Sequence, residues 1–204
     1  MPDLHGRDQF DRTYQLLRGR LSSGRYRPGE RIGVKALAVD LKVSQTPVRE
    51  ALSRLVGQGL VHDRRGNGYY VARLDANEIA GLYALRAMYL AAALRSDSKV
   101  PHLGRRKRDS VPRSEVEAFF DAILQASRSA VLIAAARNAA ERLSLVRRVE
   151  PSVFADLAIE QRHLLGTAAA GNPTDLRRRV ITYHRRRERA AFQLASALAG
   201  IAPL

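Results

Sequence analysis

Ser44, Gln45, Thr46 and Arg49 stand close together in the run SQTPVR, with Pro47 among them as a further candidate contact residue, and their polar side chains suit the edges of bases. A glutamine amide offers the donor and acceptor that match adenine, and a guanidinium forks onto guanine. If the run opens a helix, its first free amides add a place for a phosphate. Downstream, RRGNG sets Arg64 and Arg65 beside Gly66, Asn67 and Gly68, so positive charge lies next to a backbone able to approach a sugar-phosphate chain closely. Arg64 and Arg65 suit phosphates better than bases, because most protein–DNA hydrogen bonds go to the backbone. On an arbitrary helix, Arg49 followed by Glu50 would be a solvated face.

These residues need a scaffold, and the pattern around them supplies one. Phe10, Tyr14, Leu17 and Leu21 recur at helical spacing over residues 10–23, ahead of Gly24 and the turn pair Pro28-Gly29. A second helix is expected over residues 34–41. A third is expected over residues 44–59, with Ser44 or Thr46 as cap, Pro47 in the first turn, and Val48, Leu52 and Leu55 on one face. The runs LVHD and YYVARL flank the Gly- and Asn-rich turn and read as a β-hairpin. Three helices and a hairpin make a winged helix-turn-helix, whose second motif helix fits the major groove.

The ordered string from Pro28 to Val71, with PG, a later LA, VSQTPVREAL, GLV and GNGYYV, resembles the DNA-binding domain of the GntR family. The resemblance covers about 65 residues. It implies that Lys35, Gln45, Thr46, Arg49 and Gly66 sit at DNA-contact positions. Many members carry arginine where this chain has Lys35 and Gln45, which implies a different operator.

After Leu74 the strand signals stop. Helices are expected over 75–95, over 115–149 as one or two pieces broken near Ser127–Ser129, over 152–170, and from Thr174 to Ala199. Residues 96–114 hold two prolines, a glycine and the basic run GRRKR, and read as a flexible basic loop. The expected fold class is mainly α. A winged helix-turn-helix over 1–74 precedes an all-α helical bundle over 75–204, which serves effector binding and dimerisation. IAGLYALRAMYL, FFDAILQASRSAVL and IEQRHLLGTAAAGN resemble segments of the FCD effector domain of the FadR-like branch. The resemblance implies an effector site involving Arg86, Gln161 and His184. It also implies a metal held by one Asp and three His, but those positions fall on Val116, Phe120, Gln161 and, one residue late, His184. Valine and phenylalanine have no donor, so neither zinc nor nickel is expected as cofactor. A shifted set from Glu117 or Asp121 with His163 and His184 is the alternative. His184 alone, on a face with Ile181 and Ala191, also reads as a hydrogen-bonded core residue. The arginines of 177–189 read as a solvated surface, or as a source of one or two inward side chains for an acidic metabolite.

The composition excludes several classes. There is no cysteine, hence no disulfide or thiolate site. No apolar run reaches membrane-spanning length, and MPDLHGRDQFDR is too acidic for a secretory signal, so a cytoplasmic protein without membrane contact is expected. No phosphate loop, nucleophile motif or HExxH points to an enzyme. The net charge of +15 favours a polyanion. It splits into +7 before residue 74 and +8 after, so charge alone does not locate the binding face. The expected function is a regulator, of repressor type, that binds a palindrome in double-stranded DNA as a homodimer and answers a small acidic effector such as a carboxylate. The alternative is a general basic nucleic-acid-binding or architectural protein without an effector.

Overall fold

The computed structural model describes residues 4–94 and 115–200, with side chains from residue 9 onward, and the expected basic loop at 96–114 lies outside them. The described residues form ten helices and one three-stranded antiparallel sheet. They group into two compact units. One comprises the described residues up to Leu74 with those from Leu198 to Gly200; the other runs Asp75–Ala197.

In the first unit α1 spans Leu4–Ser22, starting earlier than its apolar spacing suggests, and buries Tyr14, Leu17 and Leu21. Gly24, at φ 78°, ends it in a left-handed turn open to glycine at no steric cost. Helix α2 spans Val34–Leu41, as the sequence predicts, and α3 spans Gln45–Gly57. Val48, Ala51, Leu52 and Leu55 of α3 are fully buried, the valine and the two leucines each contributing about 1.5–3 kcal/mol. That inward stripe fixes which face of α3 remains outside. Strands β2 (Val61–Arg64) and β3 (Gly68–Val71) form the expected hairpin. A two-residue strand β1, Arg31–Ile32, joins its open edge in the order β1-β3-β2. The sequence reading missed β1, because two residues are too few to show a period of two.

The second unit begins with α4, Ala76–Ala93, capped by a reciprocal Asp75–Glu78 box. Residues 115–153 form three helices rather than one or two: α5 Glu115–Ala126, α6 Ala130–Arg142 and α7 Ser144–Val153. The break at Ser127–Ser129 was legible, since Ser129 caps α6. The bend at Leu143 was not, because its backbone stays right-handed and it carries no glycine or proline. Helix α7 runs past Pro151, so α8 starts late, at Leu157, and ends at Ala169. The expected last helix is two, α9 Pro173–Arg189 and α10 Ala191–Ala199, parted at Ala190. Leu90, Phe119, Phe120, Ile123, Leu124, Leu164, Leu176, Val180 and Tyr183 form the core that binds α4, α5, α8 and α9 together.

Candidate nucleic-acid interface

Helix α3 presents its first turn to solvent. Ser44, Gln45, Thr46 and Arg49 are exposed, while Val48, one residue before Arg49, is fully buried. Ser44 stands at the cap position with extended backbone, but its hydroxyl caps no amide. The first amides of α3 therefore keep unspent donors facing outward, where an anion gains from them and from the helix dipole. Pro47, counted above among the contact residues, is buried in the head instead: its ring packs inward and it has no N–H to offer.

The wing is held against α3. Tyr69 of β3 places its hydroxyl 3.4 Å from Ser53 Oγ, and the Tyr14 hydroxyl donates to Gln58 Oε1 at 2.8 Å, tying α1 to the end of α3. At the tip, Asn67 N donates to the Arg64 carbonyl at 2.7 Å, with Gly66 at φ 79° and Gly68 at φ 95°. Those angles require glycine, because a Cβ disfavours them. Arg64 lies over the Tyr70 ring at 4.4 Å, while Arg65 is exposed.

Between α3, the start of α2 and the wing runs a groove lined by Lys35, Arg49, Gly66, Asn67 and Gly68 from the sequence-derived set, and by Arg31, Asp63 and Tyr69 in addition. Three cationic side chains thus face one concavity, the arrangement that suits a phosphate backbone. Arg31 escaped the sequence reading. Its guanidinium lies 3.7 Å from where a Cβ on Gly68 would stand, an ordinary contact distance, so Arg31 packs beside the wing tip and only the backbone angle of Gly68 calls for glycine. Only the pairing of β1 with β3 brings it there.

The candidate effector residues lie elsewhere, in the helical unit. Arg86 is 1% exposed, His184 is fully buried and Gln161 is half-buried on α8. Arg86 donates from both terminal nitrogens to Glu117, at 2.9 and 2.6 Å. Burial pushes the Glu117 carboxyl up, but Arg147 and Arg86 together outweigh it and hold it down at about 2. His184 Nδ1 lies 2.8 Å from the Val180 carbonyl and so carries the proton, and its buried Nε2 has no partner among the described residues. Burial, aided by Arg86, lowers its pKa to about 3, so the ring is neutral.

The positions at which the resemblance implies metal ligands are occupied by other side chains. Val116 and Phe120 are buried and bring no donor, and the Phe120 ring sits 5.1 Å from that of His184. Among the described residues no three His, Asp or Glu side chains gather as a metal would need. Of the arginines on α9, Arg177, Arg178, Arg179, Arg185 and Arg189 are exposed, whereas Arg187 turns inward. It binds Glu150 at 3.1 and 3.0 Å and lies over the Tyr183 ring at 3.3 Å.

Residues 9–71 match the family of bacterial regulatory proteins, gntR family. The Nta operon transcriptional regulator of Aminobacter aminovorans is 46% identical over 70 residues, which are 34% of this chain and 33% of that protein. The match thus spans about a third of that relative's length. An uncharacterised HTH-type regulator in an unstable DNA locus of Streptomyces ambofaciens is 29% identical over 177 residues, 76% of this chain and 74% of its own. A GntR protein solved by structural genomics from Rhodococcus sp. RHA1 superposes with a TM-score of 0.73 at 20% identity, covering 96% of this chain and 100% of its own, which shows a shared fold. Each of these proteins is named as a transcriptional regulator. The chain thus has the winged helix-turn-helix fold in its N-terminal unit, and over residues 9–71 it matches the gntR family of bacterial regulatory proteins.

Proposed function

We propose that this chain is a cytoplasmic, sequence-specific DNA-binding transcriptional regulator. The observation that carries the reading is the groove in which Arg31, Lys35 and Arg49 face the glycine-tipped wing beside the exposed first turn of α3. In this reading Gln45 and Arg49 read bases, and Ser44 and Thr46 help to seat the helix. Arg31, Lys35, Arg65 and the tip residues Gly66 to Gly68 hold the sugar-phosphate chain. One head contacts too few base pairs for useful discrimination, so two copies bind a palindrome, with the helical unit supplying much of the dimer contact. Occupancy of such an operator blocks transcription, which makes the chain a repressor.

The helical unit, of the FCD type of the FadR-like branch in this reading, answers a small carboxylate without zinc or nickel. Arg86 is the cation in the interior that suits such a ligand, with Gln161 and His184 as further polar groups. A second reading draws on the five exposed arginines of α9, which suit unspecific attachment to nucleic acid without any effector. Sedimentation of the protein alone and on duplexes selected for tight binding separates the two. The regulator sediments as two chains per palindromic duplex. A complex that stays one chain per duplex on its tightest site overturns the dimer, and stoichiometry that grows with duplex length favours the second reading.

A further inference from the structure

The charged interior of the helical unit already contains carboxylates. Glu117 of α5 receives both terminal nitrogens of Arg86 from α4 and lies 3.7 Å from Arg147 of α7. Bidentate pairing of this kind takes up the end-on fork that an arginine offers to an acid, while the Arg86 Nε stays buried without a partner among the described residues. Glu150 of α7 plays the same part for Arg187 of α9, and it also accepts the Tyr83 hydroxyl at 2.7 Å. The rings of Phe120, Tyr183 and His184 fill the neighbouring interior, with centroids 5.1 to 5.5 Å apart.

We propose that Glu117 is a built-in ligand of Arg86: the chain supplies in cis the carboxylate that a free acid would otherwise bring, so that an effector acid acts by competing with Glu117 for Arg86. The inference rests on the assignment of Arg86 as the interior's acid-binding cation and deepens it. An external carboxylate reaches Arg86 only by displacing Glu117, and no metal is needed to organise the site. A buried arginine stripped of its partner is costly, so the internal pair closes by default. The Glu117 side chain retains 9% exposure, which gives a solute as small as formate a path to the space that its removal would open.

The test is thermal unfolding of the full chain in sodium formate and in sodium chloride at equal ionic strength. It needs no DNA, so it stands apart from the fate of the DNA-binding reading. The wild type should melt at the same temperature in both salts. Glu117→Ala should melt lower in chloride and regain about 3 °C in formate beyond chloride, as a bound anion stabilises the folded state. Glu117→Gln, whose amide fills the space, should show no such gain, and Arg86→Met combined with Glu117→Ala should lose it. If Glu117→Ala is unfolded in chloride, recovery of its helical circular dichroism in formate supports the proposal, and failure to recover overturns it. A formate-specific gain in the wild type as large as that in Glu117→Ala overturns it too.

Discussion

Arg49 and Arg65 are both exposed arginines of the head, yet they should fail differently. Arg49 stands on the outward face of α3, where Gln45→Ala or Arg49→Ala should cost about 1–3 kcal/mol on the operator and relax its sequence preference. Arg65→Ala and Arg31→Ala should weaken operator and random DNA alike, each lowering the salt slope by about 1. Fluorescence anisotropy across a salt series separates the outcomes, and equal losses on both DNAs for all four variants would remove α3 from the reading role. The buried residues make a different prediction, about acid. The His184 ring, with its pKa lowered from 6.5 to about 3, stays neutral in the folded chain while the unfolded chain takes up a proton below 6.5. Stability should therefore fall as pH drops from 6.5 towards 3, by up to about 1.4 kcal/mol per unit. Glu117, lowered from 4.5 to about 2, contributes stability that is present above 4.5 and lost as pH falls towards 2. Urea unfolding at stepped pH checks this, and His184→Gln should flatten the profile between 6.5 and 4.5. A wild-type profile already flat there would contradict the buried neutral ring.

Among the elements, those with strong local signals were the ones legible in the sequence. Helix α2 and the hairpin were readable because apolar spacing and turn residues agree, and the outward residues of α3 follow from its inward ones. Strand β1 was not readable, and with it went Arg31, whose place in the groove depends on pairing with a strand far along the chain. The bends at Leu143 and Ala190 lack the punctuation that marks Ser129 and Asn172. The Arg86–Glu117 pair joins residues 31 apart on different helices, and no local pattern encodes it. The capping residues give a direct check on the element scale. Asn172 accepts from the amides of Thr174 and Asp175 at 3.0 and 3.2 Å, and Asp75 from Glu78 at 2.8 Å. Asn172→Ala and Asp75→Ala should each destabilise the chain by about 1 kcal/mol, read by chemical denaturation with an unchanged slope. A neutral result for both would mean that those helix ends do not limit stability.

For the molecule as a whole, a net charge of +15 draws the chain to any polyanion, so affinity for DNA by itself decides little. Among the described residues no helix is long and apolar enough to cross a membrane. What separates a regulator from a basic coat is discrimination, and the groove beside α3 is where this chain would exercise it. The most direct measurement is selection of bound duplexes from a random pool at physiological salt, followed by the dissociation constants of the enriched sequence and of its scrambled form. The expected result is one palindromic motif, bound about 10³-fold or more tighter than the scrambled duplex, with the preference lost in Arg49→Ala. A pool that remains random after repeated rounds, bound with the same affinity throughout, would contradict the account.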